Sequence, residues 1–210
     1  MTNRLEKTNI TSVMLEKEKT IEKIRQAALD EFYEKGYSKA SLRNICKKAG
    51  VTTGAMYFSF ENKEALFRSI LDPLFLQYQE LMAKYMGMEQ EAPEHGAELD
   101  VLMMKFILNH KKEALIVMEK AQGSCYESYR GQVEQMMEQS FTTFYKNALG
   151  TEPDSELIKI LARIRLDGCL EIIKGNYDME YSLYLVEKIG IYANGGTGKL
   201  LQNLKELHSK

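Results

Sequence analysis

The chain has 210 residues, 44% of them hydrophobic and 28% charged, with three prolines, three cysteines and a net charge of −2. That is the make-up of a soluble globular protein holding one large domain, or a small one joined to a larger one. It excludes a membrane-spanning chain, since no apolar run approaches the roughly 18 residues needed, and it excludes a disulfide scaffold, since Cys46, Cys125 and Cys169 are scattered.

Apolar residues mostly recur at spacings of three and four, which predicts an almost wholly helical chain of about nine to ten helices. Met1-Thr2-Asn3-Arg4-Leu5-Glu6-Lys7 is not followed by the apolar core of a signal peptide. Unpaired cysteines and no targeting segment make the cytoplasm the expected setting. Residues 1–17 are polar and weakly patterned, and read as a loose arm or a frayed first helix. Helix one is expected over 18–35, burying Ile21, Ile24, Ala28 and Phe32 and stopping at Gly36. Ser41 then caps a second helix that turns Leu42, Ile45 and Ala49 inward and Arg43, Asn44, Lys47 and Lys48 toward water. Gly50 ends it, Thr52 caps a short third helix, and Asn62 caps a fourth over 63–86. Pro73 predicts a bend in that fourth helix, because its ring removes a backbone donor and crowds the preceding turn.

A loop is expected over Gly87–Gly96 around Pro93, then helices over 96–110, 112–121, 124–149 and 154–174. A ninth is expected over 179–193, and a short last one over 197–208 after a break at the glycine run. Gly195-Gly196-Thr197-Gly198-Lys199 is not a phosphate loop: Ala193 stands where the first glycine would be, Leu200 replaces the Ser or Thr, and no strand precedes it. His95, His110 and His208 are too dispersed for a metal site, and no nucleophile–base set has supporting context. Neither a cofactor nor an enzymatic activity is expected.

Charge is distributed unevenly. Residues 1–70 carry 13 Lys/Arg against 9 Asp/Glu, a net +4, and the other 140 carry 15 against 21, a net −6. A basic head on an acidic body suits a protein that presents one end to phosphates. Within that head, a capped helix ending in Ala49-Gly50-Val51, a tight turn and a second helix starting at a Thr have the layout of a helix-turn-helix, whose second helix enters the DNA major groove.

The run Ala27-Ala28-Leu29, Phe32, Lys35-Gly36-Tyr37, then Ser41-Leu42-Arg43-Asn44-Ile45, then Ala49-Gly50-Val51-Thr52-Thr53-Gly54-Ala55-Met56-Tyr57-Phe58-Ser59-Phe60-Glu61-Asn62-Lys63-Glu64-Ala65-Leu66, closely resembles the DNA-binding domain of the TetR (tetracycline-repressor-like) regulators. The resemblance covers about 48 residues. It implies an all-α protein with a helix-turn-helix domain over 18–64 and an effector-binding and dimerisation domain over 65–210. It also implies a homodimer that represses from a palindromic operator until a small molecule binds. Thr53 and Ser59 depart from the pattern, where many members carry a lysine and an aromatic residue.

The DNA-binding set expected on this reading is Ser41, Arg43, Thr52, Thr53, Gly54, Ala55, Tyr57, Phe58 and Lys63. The start of the third helix approaches base edges, Gly54 and Ala55 allow close approach, and Ser41, Tyr57 and Lys63 reach phosphates. Methionines interleaved with aromatic rings suit an adaptable apolar pocket, here Tyr78, Met82, Met103, Phe106, Met118, Tyr126, Tyr129 and Met136. Met86 and Met88 belong to the same Met-rich stretch. Leu161, Ile164, Gly168, Leu185 and Ile189 are the expected dimer face, Gly168 and Gly190 being small enough for a helix to approach. The expected effector is an apolar or cationic aromatic molecule. Two alternatives stay open: a regulator whose trigger is oxidation of Cys125 or Cys169, and an all-helical interaction adaptor.

Overall fold

The computed structural model describes residues 2–91 and 96–208, with side chains over 14–83 and 101–207. Those residues form nine α-helices and no strand: α1 (Thr2–Lys39), α2 (Leu42–Ala49), α3 (Thr53–Ser59), α4 (Lys63–Glu91), α5 (Gly96–Asn109), α6 (Lys111–Glu119), α7 (Tyr129–Leu149), α8 (Ser155–Lys174) and α9 (Met179–His208). Pro93 and His95, and the side chains of Met86, Met88 and His208, lie outside the described residues.

The caps anticipated from the sequence are in place. Ser41 Oγ accepts from Asn44 N at 3.5 Å, Thr52 Oγ1 from Ala55 N at 3.1 Å and Asn62 Oδ1 from Ala65 N at 2.8 Å. Gly36 breaks the helical geometry of α1 with φ 73°, and Gly50 closes α2 in the left-handed region at φ 67°.

Of the two readings for the first residues, a loose arm or a helix, the helical one holds: α1 starts at Thr2, and Lys19 pairs with Glu16 at 3.0 Å one turn away. Three other expectations fail, each for a local reason. The fourth helix does not stop at Gly87 but runs to Glu91; one glycine costs about 1 kcal/mol, less than its Met, Glu and Gln neighbours supply together with the turns on either side. Helix seven starts at Tyr129, not 124. Ser124 diverts the backbone: its Oγ accepts from Tyr126 N at 3.1 Å and donates to Ala121 O at 2.6 Å, and Gly123 sits at φ 83°. Finally, α9 passes unbroken through Gly195, Gly196 and Gly198. Leu200, Leu201 and Leu204 are part-covered beyond it, so packing outweighs the glycine cost.

The described chain divides into two compact units. The first comprises residues 1–79 and 112–127, the second 80–111 and 128–210. The first unit takes in part of α4, most of α6 and the turns after it together with the head expected over 18–64.

In the first unit, Ile24, Ala28, Phe32, Ile45, Met56, Leu66, Phe67 and Leu71 are fully buried. Phe67 is the hub, 4.8 Å edge-on from Phe32 and 4.7 Å from Tyr37 between ring centroids. Residues 112–127 are tied in by polar contacts. Lys112 Nζ lies 2.6 Å from Asp30 Oδ1, and Tyr37 N donates to Lys120 O at 2.8 Å. Lys120 Nζ donates to Tyr33 O. Glycine suits position 36 because its φ of 73° is one that L side chains rarely adopt; a Cβ there would make only an ordinary contact, 3.4 Å from Lys120 O.

In the second unit α7 packs on α8, and α9 packs on α5, α7 and α8. Tyr145, Ile158, Ala162, Leu166, Leu170, Ile172 and Ile173 are buried, and Arg130 Nη2 reaches Asp167 Oδ1 at 2.9 Å to tie α7 to α8.

Candidate nucleic-acid interface

The helix-turn-helix is built from the inside out. Ile45 and Met56, one from each helix, are fully buried, and Cys46 packs beside them at 4% exposure. These residues fix the angle at which α3 leaves the turn. Val51 N donates to Cys46 O at 3.0 Å across the Gly50 turn. The start of α2 is held from below by Glu31 of α1, whose Oε1 accepts from Ser41 N at 3.4 Å and Asn44 Nδ2 at 3.3 Å. Its Oε2 lies 3.0 Å from Lys48 Nζ at the other end of α2. Burial raises the Glu31 pKa, but the bonds from Lys48, Asn44 and Ser41 outweigh it, and the carboxyl sits below its ordinary value.

With the inner face committed to packing, the outer face is open. Thr52, Thr53 and Gly54 at the start of α3 are exposed, as is Arg43 on α2. Tyr57 is 51% and Phe58 78% exposed, large values for aromatic rings. Ala55 and Ser41 are half-covered. A Cβ at Gly54 would meet nothing nearer than Thr52 Oγ1 at 3.9 Å, so the fold itself does not ask for glycine there. Ser59 is half-covered, and its hydroxyl donates to Ala55 O at 3.4 Å.

Lys63 stands differently from its neighbours in the expected set. Its Nζ donates to Tyr37 O at 2.7 Å and to Ser38 O and Ala40 O at 3.4 Å, and lies 4.5 Å from the Tyr37 ring centroid. It therefore caps carbonyls at the end of α1, a role that sequence spacing did not reveal.

Glu64, next along, accepts from the Tyr37 hydroxyl, the Cys125 thiol and Cys125 N, the last at 3.1 Å. Burial and the adjacent carboxylate push the Cys125 thiol up to about 11. Cys125 is itself exposed, and a thiol held protonated in this way is a weaker nucleophile than an ordinary one. Cys169 is part-buried in α8.

The residues expected to line one pocket are divided between the units. Tyr78, Met118 and Tyr126 are in the first, and Met82, Met103, Phe106, Tyr129 and Met136 in the second. Tyr126 lies in the turn before α7, where it stacks on Phe75 at 5.0 Å and donates to Asp72. Met136 is 55% exposed. On the expected dimer face Ile164 is 64% exposed, with Ile160, Ile191 and Tyr192 exposed beside it in the sequence of α8 and α9. Ile189 is exposed, and Leu161 and Leu185 are half-buried. Would-be Cβ atoms at Gly168 and Gly190 meet nothing within 4 Å in this chain.

Comparison with known proteins adds to this geometry. The family model described as bacterial regulatory proteins, tetR family, matches residues 24–70. The regulator TtgR of Pseudomonas putida is 34% identical over 91 residues, 43% of each chain. The repressor BepR of Brucella suis is 35% identical over 83 residues, 40% of each. The matched stretch thus spans less than half the length of these relatives. Among solved structures, NalD of Pseudomonas aeruginosa, a secondary repressor of a multidrug efflux pump, has the same fold. It superposes with a TM-score of 0.52 at 22% identity, covering 82% of this chain and 95% of NalD.

Proposed function

Because the chain belongs to the TetR family of bacterial regulatory proteins, we propose that it is a transcriptional regulator that binds a palindromic operator as a homodimer and represses until a small molecule binds. The observation that carries this is the two-sidedness of α3, whose Met56 is fully buried while Thr53, Tyr57 and Phe58 face solvent. A seven-residue helix that spends one face on fixing its own angle and leaves two large rings uncovered on the other has the form of a reading helix. The base-reading set is Thr52, Thr53, Gly54 and Ala55, with Ser41, Arg43, Tyr57 and Phe58 toward the backbone. Lys63 supports them through the end of α1 and reaches phosphate only by giving up a carbonyl.

The uncovered apolar side chains of α8 and α9 support self-association. Ile164 at 64% and Tyr192 at 80% exposure are costly to leave in water, and a second copy of the same helices would cover them. For the effector we propose an apolar or cationic aromatic molecule received by the second unit, with Met82, Met103, Phe106 and Tyr129 as candidate contacts. A DNA partner places the protein in the cytoplasm.

The test is binding of the full chain to a labelled duplex from its own upstream region, read by fluorescence anisotropy at fixed salt against a shuffled duplex. A specific complex is expected to be at least 10³-fold tighter than the shuffled one. Equal affinity for the two, or no binding to either, overturns the reading.

A further inference from the structure

The face of α1 that enters the core can be followed backward by helical spacing. Ala28 and Ile24 are fully buried, and Ile21 is part-covered. The next residue on that stripe is Lys17, seven positions before Ile24. An apolar side chain belongs there if the stripe still faces protein interior. The core has ended by that point, and the stripe has run out over α3. The Lys17 ammonium lies 5.1 Å from the centroid of the Phe58 ring, and that ring is 78% exposed on the outer face of the recognition helix. The neighbouring cation Lys19 is engaged instead with Glu16 on α1 itself, at 3.0 Å.

We infer that Lys17 is a DNA-phosphate contact, positioned by the Phe58 ring. The inference rests on the DNA-binding reading above and extends it to a residue before the 24–70 segment that carries the family match. Phe58 has no hydrogen-bonding atom for a phosphate, and its aromatic face holds a cation. That attraction narrows the range of a long, flexible side chain, so less conformational entropy is lost when the ammonium meets DNA. The pair divides the work that one polar aromatic side chain would do alone: the ring orients and the lysine delivers charge. The turn of α1 before Ile21 thus carries a cation to the edge of the reading surface.

The experiment is a salt titration of full-length protein on its own upstream duplex, comparing wild type with Lys17→Gln, Lys17→Arg and Phe58→Leu. Each phosphate contact adds about 0.9 to the slope of log affinity against log salt concentration. Lys17→Gln is expected to lower that slope by about 0.9 per protomer without altering the preferred sequence, and Lys17→Arg to restore it. Lys17→Gln should also cost less affinity in the Phe58→Leu background than in wild type, because the ring no longer steers the ammonium. Unchanged slope for Lys17→Gln, with wild type binding its duplex normally, overturns this inference and leaves the DNA-binding reading standing. Equal losses in the two backgrounds remove Phe58 as the positioning residue. Failure of wild type to bind any duplex overturns both. Lys17 and Phe58 are exposed, so thermal melts of all variants should coincide, and a melt shifted for Lys17→Gln would replace the DNA role with a structural one.

Discussion

Glu31, 2% exposed, lies 3.0 Å from Lys48, whose side chain is 39% exposed, so the head's ion pair has one partner in the core and the other at the surface. The asymmetry decides what each side contributes. The carboxylate loses most of its hydration and recovers it from Lys48, Asn44 and the Ser41 N–H, while the ammonium remains in contact with water and with Glu34 at 3.1 Å. Glu31 thereby fixes both ends of α2 against α1.

Replacing Glu31 by Gln is expected to lower stability at pH 7 by about 1–3 kcal/mol, the range for a buried group deprived of a charged partner. The pH dependence follows from the direction of its shift. The folded-state pKa lies below 4.5, so the stabilisation is complete above pH 4.5 and is lost as pH falls through the folded-state value. Urea melts between pH 7 and pH 3 check this: the gap between wild type and Glu31→Gln should close on the acid side. A gap that stays constant would assign the loss to packing.

Tyr57 and Lys63 should separate cleanly by their melts. Tyr57 is half exposed, so Tyr57→Ala should weaken binding to every duplex alike and leave the melting temperature unchanged. Lys63→Ala removes the donor to Tyr37, Ser38 and Ala40 and should lower the melting temperature as well as DNA affinity. Differential scanning fluorimetry beside a salt titration distinguishes the two, and an unshifted melt for Lys63→Ala would return that residue to the phosphate contacts alone.

Thr53 is exposed immediately past the cap of α3 and is free to read one base. Thr53→Ala should alter operator preference at one position of each half-site, by about 1–3 kcal/mol. Parallel binding selections with the two proteins show whether the recovered motif differs there. An identical motif would take Thr53 out of the base-reading set.

Cys125, held near 11 by burial and Glu64, should react slowly with iodoacetamide. At pH 8 its thiolate fraction is about 0.1%, roughly a hundredfold below that of a thiol at the ordinary value of 9. Mass spectrometry of the folded protein measures the rate, and Glu64→Gln should raise it. Fast labelling in wild type, with peroxide releasing DNA, would favour oxidation as the signal.

Ile164→Glu places a charge on an uncovered apolar side chain of α8. It should shift the protein from dimer to monomer in sedimentation, with little change in helicity, and weaken operator binding because two half-sites are no longer held together. In wild type, a releasing ligand should leave the dimer mass unchanged.

The helix-turn-helix was legible from the chain because its chemistry is local. Ser41, Thr52 and Asn62 each cap a donor three residues on, and Gly36 and Gly50 each mark a backbone angle that other residues avoid. The exposed face of α3 followed from the same spacing. Contacts between residues far apart in sequence were not legible. Tyr126 carries the same apolar periodicity as α7 yet belongs to a turn, because its partners Phe75 and Asp72 lie some fifty residues away. Lys63 reads as a surface cation until the carbonyls of Tyr37, Ser38 and Ala40 are seen around it. The glycines of α9 read as a break because propensity is a per-residue quantity, while packing of a 30-residue helix is summed along its length.

The tie between Lys120 and Gly36–Tyr37 has a consequence for how the protein is made. The head closes over residues 112–127, so ribosomal emergence of residue 79 does not complete it. Nearly fifty further residues must be synthesised first, which takes roughly 2–10 s at about 5–20 residues per second. During that interval Tyr33, Tyr37, Phe67 and Phe75 lack part of their cover. A fragment cut at the end of the family-matched segment would remain permanently in that state. The head is thus finished late, by a segment that lies outside the family-matched residues 24–70.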